Sequence, residues 1–359
     1  MNSTVDAKTF YKAFSVVQKF TQRSVIPQLE EIKADFFPDR CVLTATDLVQ
    51  WVCIEMPAQG DTFSLVFKYS KGLMKMCRTL SGPMDINYEA GENDGRVSIQ
   101  CQKRQSTLRA YLGDSFADSP VVEPDHTYTL DAAKLLGRVS SVSYAADEKS
   151  DRAAMRGVRF LEDQMFCLNG YRMAVSIDPS LYPAEPFVLP VQSFKYWETL
   201  FPGGTVTLDI GKKYARFTGG DVKQYVRLLE PDWIIPQKVV PTSCQERYLV
   251  SPKAFSKELA YLSEFIQNPD RQPAAFTRGK VSVESNAGAF TTEAGFGCDS
   301  ELEISFNVRY LLDAAKHFEQ YERITIEFSS PYTPIVLRAD ENNYAMVLTT
   351  RPSKNQQAA

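Results

Sequence analysis

The chain has 359 residues, more than one ordinary hydrophobic core accommodates, so we expect two or three domains. Its 40 basic and 44 acidic residues give a formal net charge of −4, which excludes a uniformly basic surface and confines any nucleic-acid contact to local patches. Seven scattered cysteines without a CxxC pair argue against a disulfide framework or a zinc site, and the sequence shows neither a signal peptide nor a membrane span. We therefore expect a cytoplasmic protein without a metal or cofactor.

One helical pattern occurs three times along the chain. Apolar residues lie four, eight and eleven positions after Asp6, Asp131 and Ser251, a spacing that places them on one stripe of a helix. Each opening residue is a good helix N-cap, and Pro252 occupies the favoured first helical position. The pattern returns after roughly 120 residues, which is an ordinary domain length and indicates a threefold repeat.

A second helix is predicted in each repeat, after a short strand and before an alternating one. These helices are expected over Lys68–Leu80, Val191–Leu200 and Asn307–Phe318. Alternating apolar residues predict strands over Met84–Tyr88, Val206–Ile210 and Ile324–Phe328. The sequence therefore predicts an α+β fold of three repeated domains, each with two helices packed on antiparallel sheets, over residues 1–124, 125–244 and 245–359.

Basic residues recur on the faces of these helices that lie opposite the apolar stripes. Lysines on a helix face suit contacts with phosphates that read no base sequence. Lysines also simply solvate exposed helix faces, and the pattern alone leaves both interpretations open. The predicted basic faces comprise Lys8, Lys12 and Lys19; Lys68, Lys71, Lys75 and Arg78; Lys134 and Arg138; and Lys253 and Lys257.

The order of several motifs resembles the beta subunit of bacterial DNA polymerase III, the sliding-clamp family. Residues 23–29 (RSVIPQL) are similar to the family's R-x-x-L-P-I-L segment, and residues 43–48 (LTATDL) to its L-T-x-T-D-L. Residues 168–174 (LNGYRMA) resemble T-D-G-H-R-L-A, and residues 306–313 (FNVRYLLD) match F-N-x-x-Y-L-L-D. The resemblance spans essentially the whole chain and identifies it as a divergent member with a DNA-clamp fold.

This resemblance implies a head-to-tail homodimer that forms a six-domain ring around duplex DNA. The helices would line the hole, and Arg23, Lys149 and Arg152 would face the DNA together with the basic helix faces. The dimer interface would join Thr107 and Leu108 of one copy to Tyr261 and Leu262 of the other. DNA polymerase and clamp-loader subunits would bind through short linear peptides.

The resemblance also implies an apolar partner-peptide cleft between the second and third domains. Apolar side chains with one or two guanidinium groups suit a peptide with aliphatic anchors and a polar residue. Tyr171 stands where the family usually has histidine, which changes the peptide specificity to be expected, and Met155, Leu168 and Met173 also fit core strand positions. The cleft residues implied are Met155, Leu168, Gly170, Tyr171, Arg172, Met173, Pro231, Met346, Leu348, Thr349, Thr350 and Arg351.

No pattern in the sequence predicts catalysis. The two histidines, His126 and His317, have no neighbouring cysteine or carboxylate set typical of a nucleophile or a metal site. The sequence also contains neither a P-loop nor a dinucleotide-binding motif. We therefore expect a non-catalytic processivity factor of a DNA polymerase; the alternative is a divergent clamp paralogue that acts as a protein-binding scaffold without loading onto DNA.

Overall fold

The computed structural model describes residues 1–179, 183–230, 234–269, 272–285, 288–295 and 300–350. These residues form two compact units, the first from Met1–Leu136 and Ser193–Leu228 and the second from Gly137–Gln192 and Leu229–Ala359. The predicted boundaries at 124 and 244 stay a prediction, because the strands of residues 125–244 are divided between the two units.

The strands pair antiparallel throughout the described residues, as predicted for an α+β fold. In residues 1–124 they are β1 (Asn2–Asp6), β2 (Ile32–Phe36), β3 (Arg40–Thr46), β4 (Gln50–Pro57), β5 (Gln59–Gly60), β6 (Phe63–Phe67), β7 (Pro83–Ala90), β8 (Asp94–Cys101) and β9 (Arg104–Leu112). In residues 125–244 they are β10 (His126–Asp131), β11 (Gly157–Leu161), β12 (Gln164–Leu168), β13 (Arg172–Ile177), β14 (Phe187–Pro190), β15 (Thr205–Ile210), β16 (Tyr214–Gly219) and β17 (Val222–Arg227). In the remainder they are β18 (Glu246–Val250), β19 (Ala274–Thr277), β20 (Lys280–Ser285), β21 (Gly288–Glu293), β22 (Ile304–Phe306), β23 (Ile324–Phe328), β24 (Ile335–Arg338) and β25 (Asn343–Val347).

The first helix of each repeat forms where the sequence predicts it. These helices are α1 (Ala7–Val17), α3 (Ala132–Ser143) and α6 (Pro252–Ser263); the others are α2 (Ser70–Cys77), α4 (Trp197–Leu200), α5 (Pro236–Val239) and α7 (Val308–His317). Asp6 caps α1 by accepting hydrogen bonds from the backbone N–H and the hydroxyl of Thr9, each at 2.8 Å. Phe10 and Phe14 are fully buried and pack against Phe67 of β6, which fixes α1 on the sheet.

The second helices are shorter than predicted. α2 begins only after Tyr69, which adopts a left-handed backbone conformation with φ of 65°, so Lys68 precedes the helix. The predicted helix over Val191–Leu200 is a 3-10 turn followed by the four-residue α4. Aromatic residues have only modest helix propensity, and the Trp197 ring enters the core there, with 1% of its surface exposed.

Two four-strand patterns each occur three times in the chain, once in each repeat. One set runs β1-β7-β8-β9, then β10-β15-β16-β17, then β18-β23-β24-β25. The other runs β6-β2-β3-β4, then β14-β11-β12-β13, then β22-β19-β20-β21. The repetition of helix pattern in the sequence is therefore matched by a repetition of topology.

Two junctions join these sets in an equivalent way. β17 pairs with β4, and β25 pairs with β13, each antiparallel. At the first junction the Arg227 N–H donates to the Val49 carbonyl at 2.8 Å, and at the second the Leu348 N–H donates to the Tyr171 carbonyl at 2.8 Å. Both carbonyls belong to residues that follow a left-handed turn residue, Leu48 at φ 67° or Gly170 at φ 88°. β9 and β21 are the remaining last strands of these four-strand sets. Among the described residues, neither of them pairs with the last strand of another set.

Candidate functional site

The predicted basic helix faces are largely displayed to solvent. The exposed set comprises Lys8, Lys12, Lys19, Arg23, Lys71, Lys75, Arg78, Lys134, Lys149, Arg152, Lys253 and Lys257. None of these side chains takes part in the ion pairs found among the described residues. Their charges are therefore free to act on an external anion.

Two predicted basic residues are engaged within the protein. The Arg138 side chain is only 12% exposed, its guanidinium donates to the carbonyls of Asp163 and Ser176 at 3.3 and 3.2 Å, and burial lowers its pKa. Lys68 forms an ion pair with Asp94 at 2.7 Å and lies 4.0 Å from the ring centroid of Tyr111. Because these side chains are held by contacts within the protein, Arg138 and Lys68 do not belong to the displayed set, which corrects the sequence-based assignment.

β9 has an open edge along its first half. β8 pairs with Arg104–Tyr111 of β9, whereas β6 pairs only with Ala110–Leu112. The last contact on that side is the Lys68 N–H, which donates to the Arg109 carbonyl at 3.3 Å. Backbone N–H and C=O groups alternate sides along a strand, so those of Thr107 point to the same side of β9 as those of Arg109. On that side, no strand lies next to Thr107. Thr107 and Leu108, both predicted for the dimer interface, lie on this open half.

β21 provides a second open edge, and aromatic rings lie beside it. β21 pairs only with β20 among the described residues. Its Phe290 stacks on Phe265 at 3.7 Å between ring centroids, and Phe265 packs edge-on against Tyr261, which is 49% exposed. Leu262, by contrast, is fully buried in the core of the second unit, so its assignment to the dimer interface is corrected.

The implied cleft residues divide into a buried and an exposed group. Met155, Leu168, Met173 and Met346 belong to one hydrophobic cluster and are each at most 8% exposed. Gly170, Tyr171 and Leu348 are exposed, with Tyr171 at 62%, while Thr349 and Thr350 are half-buried. Pro231 and Arg351 lie outside the described residues. The contact of either group with a partner stays a prediction.

Arg172 organises the side chains beside this surface. Its guanidinium forms a 2.5 Å ion pair with Asp313, donates to the Tyr144 carbonyl, and lies 4.8 Å from the ring centroid of Tyr310. Tyr171 stacks on Tyr310 at 6.2 Å between centroids. Tyr310 and Asp313 lie within the motif at residues 306–313 without being assigned to the cleft from sequence. Tyr144 carries no sequence signal that connects it to Arg172.

His317 stacks on the Tyr144 ring at 5.1 Å between centroids, and burial lowers the pKa of His317 below its ordinary 6.5. The unfolded chain therefore binds a proton more readily than the folded one, and stability falls as the pH drops below the unfolded pKa of about 6.5. We expect His317→Gln to reduce the loss of thermal midpoint between pH 7.0 and 5.5. Differential scanning fluorimetry checks this, and an unchanged pH slope in the variant would contradict it.

Grouped metal ligands and membrane-spanning helices are both absent from the described part of the chain. There, no three His, Cys, Asp or Glu side chains are placed to hold a metal ion. No helix within those residues is long and apolar enough to cross a membrane.

Relatives of known type match the chain in sequence. A family model for the DNA polymerase III beta subunit, C-terminal domain, matches residues 286–351. The beta sliding clamp of Halalkalibacterium halodurans is 24% identical over 382 aligned residues, covering 97% of this chain and 98% of the relative. The beta sliding clamp of Bacillus subtilis is 20% identical over 362 aligned residues, covering 94% and 95%.

Solved structures show the same fold. A putative DNA polymerase III beta subunit from Eubacterium rectale matches with a TM-score of 0.87 at 17% identity, covering 98% of this chain and 100% of that chain. The DNA polymerase sliding clamp from Bacillus subtilis matches with a TM-score of 0.86 at 19% identity, covering 98% and 99%. Full-length sequence similarity, the matched C-terminal domain and this common fold agree: the chain resembles the beta sliding clamps, the beta subunits of DNA polymerase III, over nearly its whole length.

Proposed function

We propose that the chain works as a DNA sliding clamp that closes around duplex DNA as a head-to-tail homodimer. Beta sliding clamps are non-catalytic processivity factors, and in the proposed role this chain likewise has no catalytic activity of its own. In the proposed role it retains a DNA polymerase and clamp-loader subunits on DNA, by binding short peptides of those proteins. Retention by a closed ring requires no tight or base-specific contact.

The strand junctions carry this proposal. Within the chain, the last strand of one four-strand set pairs twice with the last strand of the other set, as β17 with β4 and β25 with β13. β9 and β21 are also last strands of their four-strand sets, and among the described residues neither pairs with the last strand of another set. Pairing β9 of one copy with β21 of another would make the same junction a third time. Since the two strands differ, the contact is head-to-tail, and two such contacts close a dimer.

Charge and aromatic surface support this contact. The open half of β9 carries the exposed cations Arg104 and Arg109, and β21 ends at the exposed carboxylate of Glu293. Tyr261 and Phe290 add apolar surface beside β21, and aromatic side chains are enriched at interfaces. Leu108 supplies a half-buried apolar side chain on the other strand.

The exposed cations of α1, α3 and α6 support the DNA contact. These helices are equivalent in the repeat; α1 and α6 each display two lysines away from the buried stripe, and α3 displays one. Lysine contacts with phosphates are independent of base sequence and weaken with salt, which is compatible with movement along the duplex.

For partner peptides, we propose the surface formed by Tyr171, Leu348 and Tyr310, in which Tyr171 stacks on Tyr310 and its carbonyl accepts a hydrogen bond from the Leu348 N–H. An exposed tyrosine and leucine beside each other suit an aliphatic or aromatic peptide anchor. Arg172 is neutralised by Asp313, so it fixes the shape of this surface more than its charge.

Solution mass tests the ring. Analytical ultracentrifugation over a range of concentrations should give a species of twice the chain mass of 40.5 kDa. The protein is diluted until it dissociates, mixed with nicked circular plasmid and then reconcentrated. It should stay on the plasmid in high salt, and it should leave the plasmid after one restriction cut. High salt removes electrostatic binding, so the effect of the cut reports topological retention.

A monomer at every concentration would overturn the ring. That result would favour the alternative role, a protein-binding scaffold that keeps the clamp fold without loading onto DNA.

A further inference from the structure

Two lysine ammonium groups lie close to the ring of Tyr196 in the first unit. The Nζ of Lys19, which follows α1, is 5.6 Å from the Tyr196 ring centroid, and the Nζ of Lys195 is 5.4 Å from the same centroid. Both distances are within the roughly 6 Å at which an ammonium group is attracted to an aromatic face. Both cations are therefore attracted to the same ring.

The surrounding residues fix the ring and one of the lysines. Phe20 is 3% exposed and packs edge-on against Tyr196 at 5.5 Å between centroids. Trp197, the next residue, is buried and donates its indole N–H to the Ala132 carbonyl at 3.0 Å. The Lys19 ammonium also donates to the Thr199 hydroxyl at 3.2 Å. Lys19 is thus held by two contacts to the α4 segment, although it belongs to the start of the chain.

No carboxylate balances this pair of charges. Lys19 and Lys195 are both exposed, and neither takes part in an ion pair within the described residues, although Glu198 is close in sequence. Holding two like charges near one ring is unfavourable in the free protein. An anion that contacts both would relieve the repulsion. The fold itself gains little from the arrangement, since Phe20 and Trp197 already anchor the segment.

We propose that Tyr196 is a positioning residue that holds Lys19 and Lys195 as a paired contact for the phosphates of duplex DNA. This inference rests on the proposed sliding-clamp function and extends it to Lys195 and Tyr196, for which the helix-face pattern gives no signal. The phosphodiester backbone fits because it presents regularly spaced anions, one per about 3.4 Å of axis along each strand. A long lysine loses conformational freedom on binding, and ordering it beforehand on a ring lowers that cost.

The salt dependence of duplex binding tests the proposal. We would measure fluorescence anisotropy of the full-length chain with a labelled duplex at several low salt concentrations. For Lys19→Ala/Lys195→Ala, the slope of log affinity against log salt should fall by about 2, because each phosphate contact contributes roughly 0.9. Tyr196→Leu keeps both charges and should weaken binding by about threefold, while Tyr196→Phe keeps the ring and should bind as the unmodified chain does.

Lys212→Ala/Lys213→Ala is the matched control. It removes two exposed charges from the turn between β15 and β16 and should leave the slope unchanged. A slope that falls equally in the control and in Lys19→Ala/Lys195→Ala would overturn the paired contact. Equal binding by Tyr196→Leu and the unmodified chain would overturn the positioning role of Tyr196. If the unmodified chain binds no duplex at any salt concentration, the paired phosphate contact is overturned, whereas retention on the nicked circular plasmid tests the clamp function separately.

Discussion

Thr107→Pro should convert the proposed dimer into monomers while leaving each chain folded. The Thr107 N–H points to the open side of β9, away from β8, so proline removes a donor that only a second copy could use. Proline also places its ring where the partner strand would approach. Because edge strands tolerate proline and the residue before it favours extended backbone, the β8–β9 ladder should remain.

We expect the dimer dissociation constant to rise by about 100-fold, equivalent to roughly 3 kcal/mol. Sedimentation of both proteins over a concentration series measures this. Thr107→Val is the control, since it keeps the N–H and the strand propensity and should dimerise normally. A Thr107→Pro protein that dimerises like Thr107→Val would show that β9 does not form the joint.

Trp197→Ala should produce the largest loss of stability in the first unit. The indole packs against Phe217 at 4.9 Å and Phe201 at 4.7 Å between centroids and is almost fully buried. Truncation leaves a cavity and removes the donor to the Ala132 carbonyl, which together should cost about 3–5 kcal/mol.

Calorimetry should therefore show the transition of the first unit lowered by roughly 10 °C, at about 2–4 °C per kcal/mol. Trp197→Phe retains most of the ring packing and should lose distinctly less. If both variants melt alike, or the second unit is the one affected, the anchoring role of Trp197 is wrong.

Periodicity sufficed to predict the elements that have one buried face. The stripe that follows Asp6 predicts α1 because Phe10 and Phe14 must face the core whatever the tertiary arrangement. The same holds for α6 after Ser251 and for the alternating strand Ile324–Phe328, which forms as β23.

The sequence-based predictions were wrong where tertiary contacts decide the direction in which a side chain points. Arg138 follows the helical spacing of an outward cation, yet the carbonyls of Asp163 and Ser176 draw its guanidinium inward. Leu262 lies on the apolar stripe of α6, and burial there excludes it from any interface. The cluster of Arg172, Tyr144 and His317 brings His317 to two residues that lie more than 140 positions before it, and no local pattern connects them.

Chain continuity makes the internal strand junctions and the proposed external one respond differently to dilution. β4 and β17 are parts of one polypeptide, as are β13 and β25, so a separated pair remains at a high effective concentration and rejoins. β9 and β21 of different copies would meet only at the prevailing protein concentration. The ring would therefore open at the contacts between the two copies and not at the junctions within a chain. The protein concentration would set the fraction of rings that are open.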